Sequence, residues 1–309
     1  MLTDIFIFIF ALAMVIKGAT LATKYADKLA ETFRLSKYTV GFIIIAIISI
    51  LPETFISINA SITGIPSFGL GVLFGSNIAD LTLIFALIVF IARRNLRVEG
   101  KIIKNEAMYP FILILPLILG FNGHFSRLDG AALILAGIIF YYQALKKGTS
   151  TFESSIGGKN KIKNSLMLLL SMLIMLAGGH FTVVSASNLA NYIGISPVLI
   201  GMLIVGLGTT MPEFFFSLKS VMKNDDSLAV GDILGTVLAD ATVVVGIIAL
   251  FSPFYFSTKI IYVTGAFMVA ASFVLFRFMK SGHTLTRKEA WFLLLFWLLF
   301  VATEFAVNI

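Results

Sequence analysis

Four carboxylates stand where a carboxylate is costly: Glu53, Asp80, Glu213 and Asp240 each interrupt a run of apolar residues. On insertion scales one such charge at mid-bilayer costs about 2.5–3.5 kcal/mol. Each acid has a hydroxyl four residues before it, at Ser49, Ser76, Thr209 and Thr236. That spacing puts hydroxyl and carboxylate on one helix face. Oxygens of both kinds are hard ligands, suited to Ca2+, Mg2+ or Na+ rather than to soft metals. No Lys or Arg stands at matching depth, so bound cations or protons are the natural counter-charges. Pro52 and Pro212 precede the two glutamates. A proline lacks its N–H and clashes with the carbonyl four residues earlier. The carbonyls of Ile48 and Gly208 are therefore expected to open toward a cation.

The acids are related by an internal repeat. TVGFIIIAIISILPETFIS (39–57) aligns without a gap on LIGMLIVGLGTTMPEFFFS (199–217), at an offset of 160. The same offset carries GVLFGSNIAD (71–80) onto GDILGTVLAD (231–240), and it relates Gly18 to Gly178 and Gly41 to Gly201. Chance apolar similarity does not hold one register across so many glycine and polar positions.

The elements that must position these residues follow from hydropathy. The chain is 59% hydrophobic and 13% charged, too apolar for a soluble domain of its length. Ten runs approach the roughly 20 residues a helix needs to cross hydrocarbon. They are 3–21, 39–63, 69–92, 107–121, 128–145, 164–184, 197–222, 228–251, 258–277 and 288–307. MLTDIFIFIFALAMVIKG has no basic n-region or small-residue cleavage pattern, so it reads as the first span. With residue 1 outside, 19 of the 23 basic residues fall in cytoplasmic loops, which is the positive-inside pattern. The net charge of +7 is thus a topology signal and no sign of nucleic-acid binding. There is no cysteine, which excludes disulfides and thiolate metal sites.

The expected fold class is an all-α membrane protein with ten transmembrane helices in two five-helix repeats, 1–145 and 164–309, joined by a cytoplasmic linker at 146–163. An odd number of spans per repeat inverts the second half against the first. Transporters of that design bind their substrate at the midplane between the halves.

With these motifs in hand a resemblance is plain. AIISILPE (46–53), GLGTTMPE (206–213), GSNIAD (75–80) and GTVLAD (235–240) resemble the paired α-repeats of the cation/Ca2+ antiporter superfamily, which includes the sodium/calcium exchangers. The resemblance implies that spans 2, 3, 7 and 8 enclose the ions. Glu53 and Glu213 would make a central divalent site, with carbonyls near Ser49 and Thr209. Flanking monovalent sites would use Ser49, Ser76, Thr209, Thr210 and Thr236 with the carbonyls of Ala46 and Gly206. Asp80 and Asp240 would line the middle, and spans 1 and 6 would slide to alternate access. Two positions depart from the pattern. Ile48-Ser49-Ile50 replaces the usual Gly-Thr-Ser, and Asp80 stands where many sodium/calcium exchangers have Asn. Four packed acids cannot all stay ionised without cations, which favours a proton as co-ligand or counter-ion, or a site tuned to greater positive charge.

The expected function is antiport, with Ca2+ exported in exchange for Na+. No cofactor is expected: the ions are cargo, with H+ or K+ as alternative counter-ions. The same fold driven by protons is the nearest rival, and a cation channel is a second. A channel assembles its filter from several subunits, whereas this pseudo-symmetry closes one site alone. An aspartyl hydrolase built on Asp80 and Asp240 would leave the symmetric Glu and Thr residues without a role, so the chain reads as no enzyme. The expected partners are lipid and inorganic cations, with no obligate protein partner. The expected location is a prokaryotic plasma membrane with both termini outside. The other polar residues read as structural. Asp225, Asp226 and Asp232 are expected to be solvated at a cytoplasmic helix end, and Glu304 to lie near the external interface. His124 and His283 read as loop residues, His180 as helix packing, and the 30 Phe as lipid-facing bulk.

Overall fold

The computed structural model describes residues 1–30, 42, 45–99, 108–147 and 161–308. Most of the linker, Gly41 and basic loop residues such as Arg34, Lys37, Lys101, Lys104 and Lys159 lie outside them. The described helices, in chain order, are α1 (Leu2–Ala30), α2 (Ala46–Ile62), α3 (Pro66–Ala92), α4 (Tyr109–Leu119) and α5 (Arg127–Lys147). They continue with α6 (Lys161–Ile193), α7 (Pro197–Met222), α8 (Asp226–Phe251), α9 (Ile260–Lys280) and α10 (Arg287–Asn308). Among the described residues, α3, α6, α7, α8, α9 and α10 are long and apolar enough to cross a membrane, while α2 and α4 are shorter apolar helices. The protein is an integral, multi-pass membrane protein.

Local chemistry explains the helix ends. Pro66 and Pro197 open α3 and α7 at positions where the missing N–H costs nothing. The Ser196 hydroxyl also caps α7, accepting from the Val198 amide at 3.2 Å. α6 extends well beyond the apolar run 164–184, because polar Ser187, Asn188 and Asn191 continue the helix. α3 and α8 each pass through a five-residue π-helical turn, at Asp80–Ile84 and Asp240–Val244.

α2, α3, α7 and α8 pack together as the inner group. They approach closely because glycine removes the side chain at each crossing. A Cβ at Gly75 of α3 would land on the Met202 backbone of α7, and one at Gly235 of α8 would land on the Phe42 carbonyl. These crossings are the close-packing role of small residues in membrane helices. α1 and α6 run along each other and rest on α2 and α7. α5 covers α8, α10 covers α3, and α9 meets α4.

Two short antiparallel ladders join distant loops of the chain. β1 (Leu96–Arg97) pairs with β4 (Thr284–Leu285), and β2 (His124–Phe125) pairs with β3 (Phe254–Tyr255). The phenylalanines are not all lipid-facing bulk, since Phe42, Phe68, Phe74, Phe85, Phe125 and Phe300 are fully buried between helices. His180, expected in helix packing, is exposed on α6.

Candidate ion site

The four acids lie on the inner helices, Glu53 on α2, Asp80 on α3, Glu213 on α7 and Asp240 on α8. All are buried, with exposure of 1% or less. They lie within electrostatic reach of one another: Glu213 feels Glu53 and Asp80, and Asp240 feels the same two. Both oxygens of Asp80, Glu213 and Asp240, and Oε2 of Glu53, find no well-formed hydrogen-bond partner. Among the described residues, no group of three Asp, Glu or His side chains is close enough to hold a metal ion by itself. A cation here would need hydroxyl and carbonyl oxygens as well as the acids.

Those oxygens are present. Thr209 Oγ1 donates to the Gly206 carbonyl at 3.0 Å, Thr210 Oγ1 to the Leu207 carbonyl at 2.9 Å and Ser76 Oγ to the Leu73 carbonyl at 3.0 Å. Each hydroxyl has thereby disposed of its proton, which leaves oxygen lone pairs for a cation. Thr236 Oγ1 is buried and unpartnered. The carbonyls of Ala46 and Gly206 accept the amides of Ile50 and Thr210 at 3.0 and 3.2 Å. A carbonyl has a second lone pair, so these bonds do not bar ligation.

The proline expectation needs correction. α2 and α7 tighten at Ile50 and Thr210, two residues before each proline, and cap N–H groups there bond the carbonyls of Ile48 and Gly208. Those two carbonyls are therefore engaged rather than opened. The tightened turn also falls between Ser49 and Glu53, and between Thr209 and Glu213, so neither pair keeps regular i,i+4 geometry.

The expectation of solvated aspartates at the start of α8 fails for Asp226 and Asp232, while Asp225 is half-buried. Asp232 is completely buried. Its Oδ1 accepts from Ser49 Oγ and its Oδ2 from Ser217 Oγ, each at 3.2 Å. Asp226 is buried as well, held by Arg94 through Nη1 at 2.7 Å and by the Arg97 amide at 2.8 Å. That carboxylate beside the Arg94 guanidinium raises the arginine's pKa above its ordinary value. Glu304, near the end of α10, is 1% exposed and accepts from Thr264 Oγ1 near the start of α9 at 2.6 Å, so it is buried between these helices. Asp232 lies in a polar-to-apolar transition, where burial has no sequence signature; its partner Ser49 is 183 residues away.

The sodium/calcium exchanger protein family profile matches this chain twice, over residues 3–146 and 163–306. The chain belongs to the sodium/calcium exchanger family. Members of this family are antiporters rather than enzymes. The inner membrane protein YrbG of Escherichia coli is 27% identical, over 79% of this chain and 80% of its own length. The sodium/calcium exchanger MaX1 of Methanosarcina acetivorans is 22% identical over 97% and 98% of the two chains. A structure of the sodium-calcium exchanger NCX_Mj, soaked with 10 mM Na+ and no Ca2+, is 25% identical with a TM-score of 0.72, covering 97% and 98%. The exchanger fold therefore extends over nearly the whole chain.

Proposed function

We propose that this exchanger exports Ca2+ in exchange for Na+ by alternating access around the acids of α2, α3, α7 and α8. The observation that carries the reading is the set of buried carboxylate oxygens without hydrogen-bond partners. An uncompensated buried charge is unstable, so mobile cations complete the site. Glu53 and Glu213 hold the divalent ion. Ser49, Ser76, Thr209, Thr210 and Thr236, with the carbonyls of Ala46 and Gly206, hold Na+. Asp80 and Asp240 supply charge between them. One divalent ion and several monovalent ions compete for these oxygens, and that competition enforces exchange.

The reading includes ten spans, in two inverted halves at 1–145 and 164–309, with both termini outside a prokaryotic plasma membrane. Several contacts support that topology. With ten alternating spans, β1 and β4 share one membrane face, as do β2 and β3, and these are the pairs that form. Arg94 and Asp226 fall together on the inner face, and Asp4 and Asn188 on the outer, where Asn188 Nδ2 donates to Asp4 Oδ1 at 3.0 Å. α1 and α6 are the moving pair. Gly208 of α7 faces the Leu12 side chain of α1, and Gly179 of α6 faces the backbone of Phe55 and Ile56 on α2. Such low relief suits sliding.

45Ca2+ flux into proteoliposomes under an imposed Na+ gradient at constant pH tests the assignment. Flux is expected. Its absence there, with flux under a pH gradient, would sink the Na+ reading and favour proton exchange, the alternative that the extra acid Asp80 supports.

A further inference from the structure

Asp232 breaks the repeat. The matching residue in the first half is Val72, so the second half alone carries a buried acid at this position. The hydroxyls around it are asymmetric too. Thr209, the mate of Ser49, gives its proton to the Gly206 carbonyl one turn back. Ser49 makes no such bond and donates across the halves to Asp232 Oδ1. Ser217 and its mate Ser57 contact matching carbonyls, Ala229 at 3.4 Å and Gly69 at 3.3 Å, but only Ser217 also reaches a carboxylate. One turn along α8 from Asp232, the buried Thr236 hydroxyl is unpartnered, whereas its mate Ser76 bonds the Leu73 carbonyl.

A hydroxyl can offer its oxygen to a cation only if its proton points elsewhere. Threonine is held to few rotamers by its branched β-carbon and readily bonds an i−3 or i−4 carbonyl. Serine is freer to rotate: Ser76 bonds back to its own helix, whereas Ser49 turns outward and donates to Asp232. We propose that Asp232 is a positioning residue: it takes the Ser49 proton and so turns the Ser49 oxygen toward a Na+ ion held between α2 and α8. The inference rests on the site reading above and adds to it a residue outside the four symmetric acids. It also gives the second half one more negative charge than the first, so the Na+ subsite beside Ser49 and Thr236 binds more tightly than its mirror beside Thr209 and Ser76.

Na+-dependent 45Ca2+ exchange in proteoliposomes, read as Na+ KM and kcat separately, tests this. D232A is expected to raise the Na+ KM about tenfold, the loss of one charge-assisted hydrogen bond, with kcat within about twofold. Adding S49T is expected to restore the KM, because threonine can bond the Ala46 carbonyl as Thr209 bonds that of Gly206. D232N, which keeps one acceptor oxygen, should raise the KM less and also respond to S49T; it serves in place of D232A if that variant does not fold. Failure of S49T to lower the KM in either background overturns the proposal, as does a D232A effect undiminished when Ser49 is already alanine. E213Q is run beside them. Retained exchange by E213Q would defeat the site reading itself, a result distinct from failure of the Asp232 relay.

Discussion

Asp80 and Asp240 each begin a π-helical turn, in α3 and α8. A π turn shifts the hydrogen-bond register by one residue and strands a carbonyl, a distortion often found at functional sites. Inside each turn a threonine bonds back to the carbonyl four residues earlier. Thr82 Oγ1 donates to the Ile78 carbonyl at 2.5 Å, and Thr242 Oγ1 to the Leu238 carbonyl at 2.6 Å.

The two threonines should therefore matter equally. T82V and T242V keep the shape and delete the donor, removing one buried hydrogen bond each. Each is expected to cost about 1–2 kcal/mol, measured as unfolding in detergent. An unaltered midpoint in both would show that the π turns need no such support.

Neutralising a central acid should stabilise the protein when cations are withheld. D80N and D240N remove charges that lack protein partners. The melting midpoint in cation-free buffer should rise by a few degrees. The further rise on adding Ca2+, which reports binding to the native state, should shrink. A lower midpoint without cations would mean these charges are compensated by the protein.

Glu213→Gln should cut Na+-driven Ca2+ exchange about a hundredfold or more, the loss of a charged ligand that buried hydroxyls cannot replace. The helical circular dichroism spectrum should not change. Near-normal flux would move the divalent ion away from α7.

The Arg94–Asp226 pair makes a structural test away from the ions. R94A strands a buried carboxylate and is expected to cost about 2–3 kcal/mol. R94A with D226A should recover part of that loss, and equal losses in the single and double variants would deny the coupling.

The family, the membrane class and the burial of the four acids were legible because lipid makes polar residues rare. At Glu53 and Asp80, against Glu213 and Asp240, each acid is conspicuous and the offset repeats. Asp232 was not legible, because it stands six residues after Asp226 near a helix start, where an aspartate is ordinarily solvated. Only the arrival of Ser49 from the other half shows it to be interior. The prolines misled for a related reason. Pro52 and Pro212 mark a break, but the tight turns at Ile50 and Thr210 absorb it and keep the nearby carbonyls bonded.

Each of the two ladders takes one strand from either side of the 146–163 connection. Among the described residues, each strand before the connection pairs with one after it. Cut at the linker, the two pieces should still find one another and co-purify, while either expressed alone would present open backbone to solvent and be prone to degradation. The two stretches that match the family profile are thus joined by backbone pairing as well as by the chain between them.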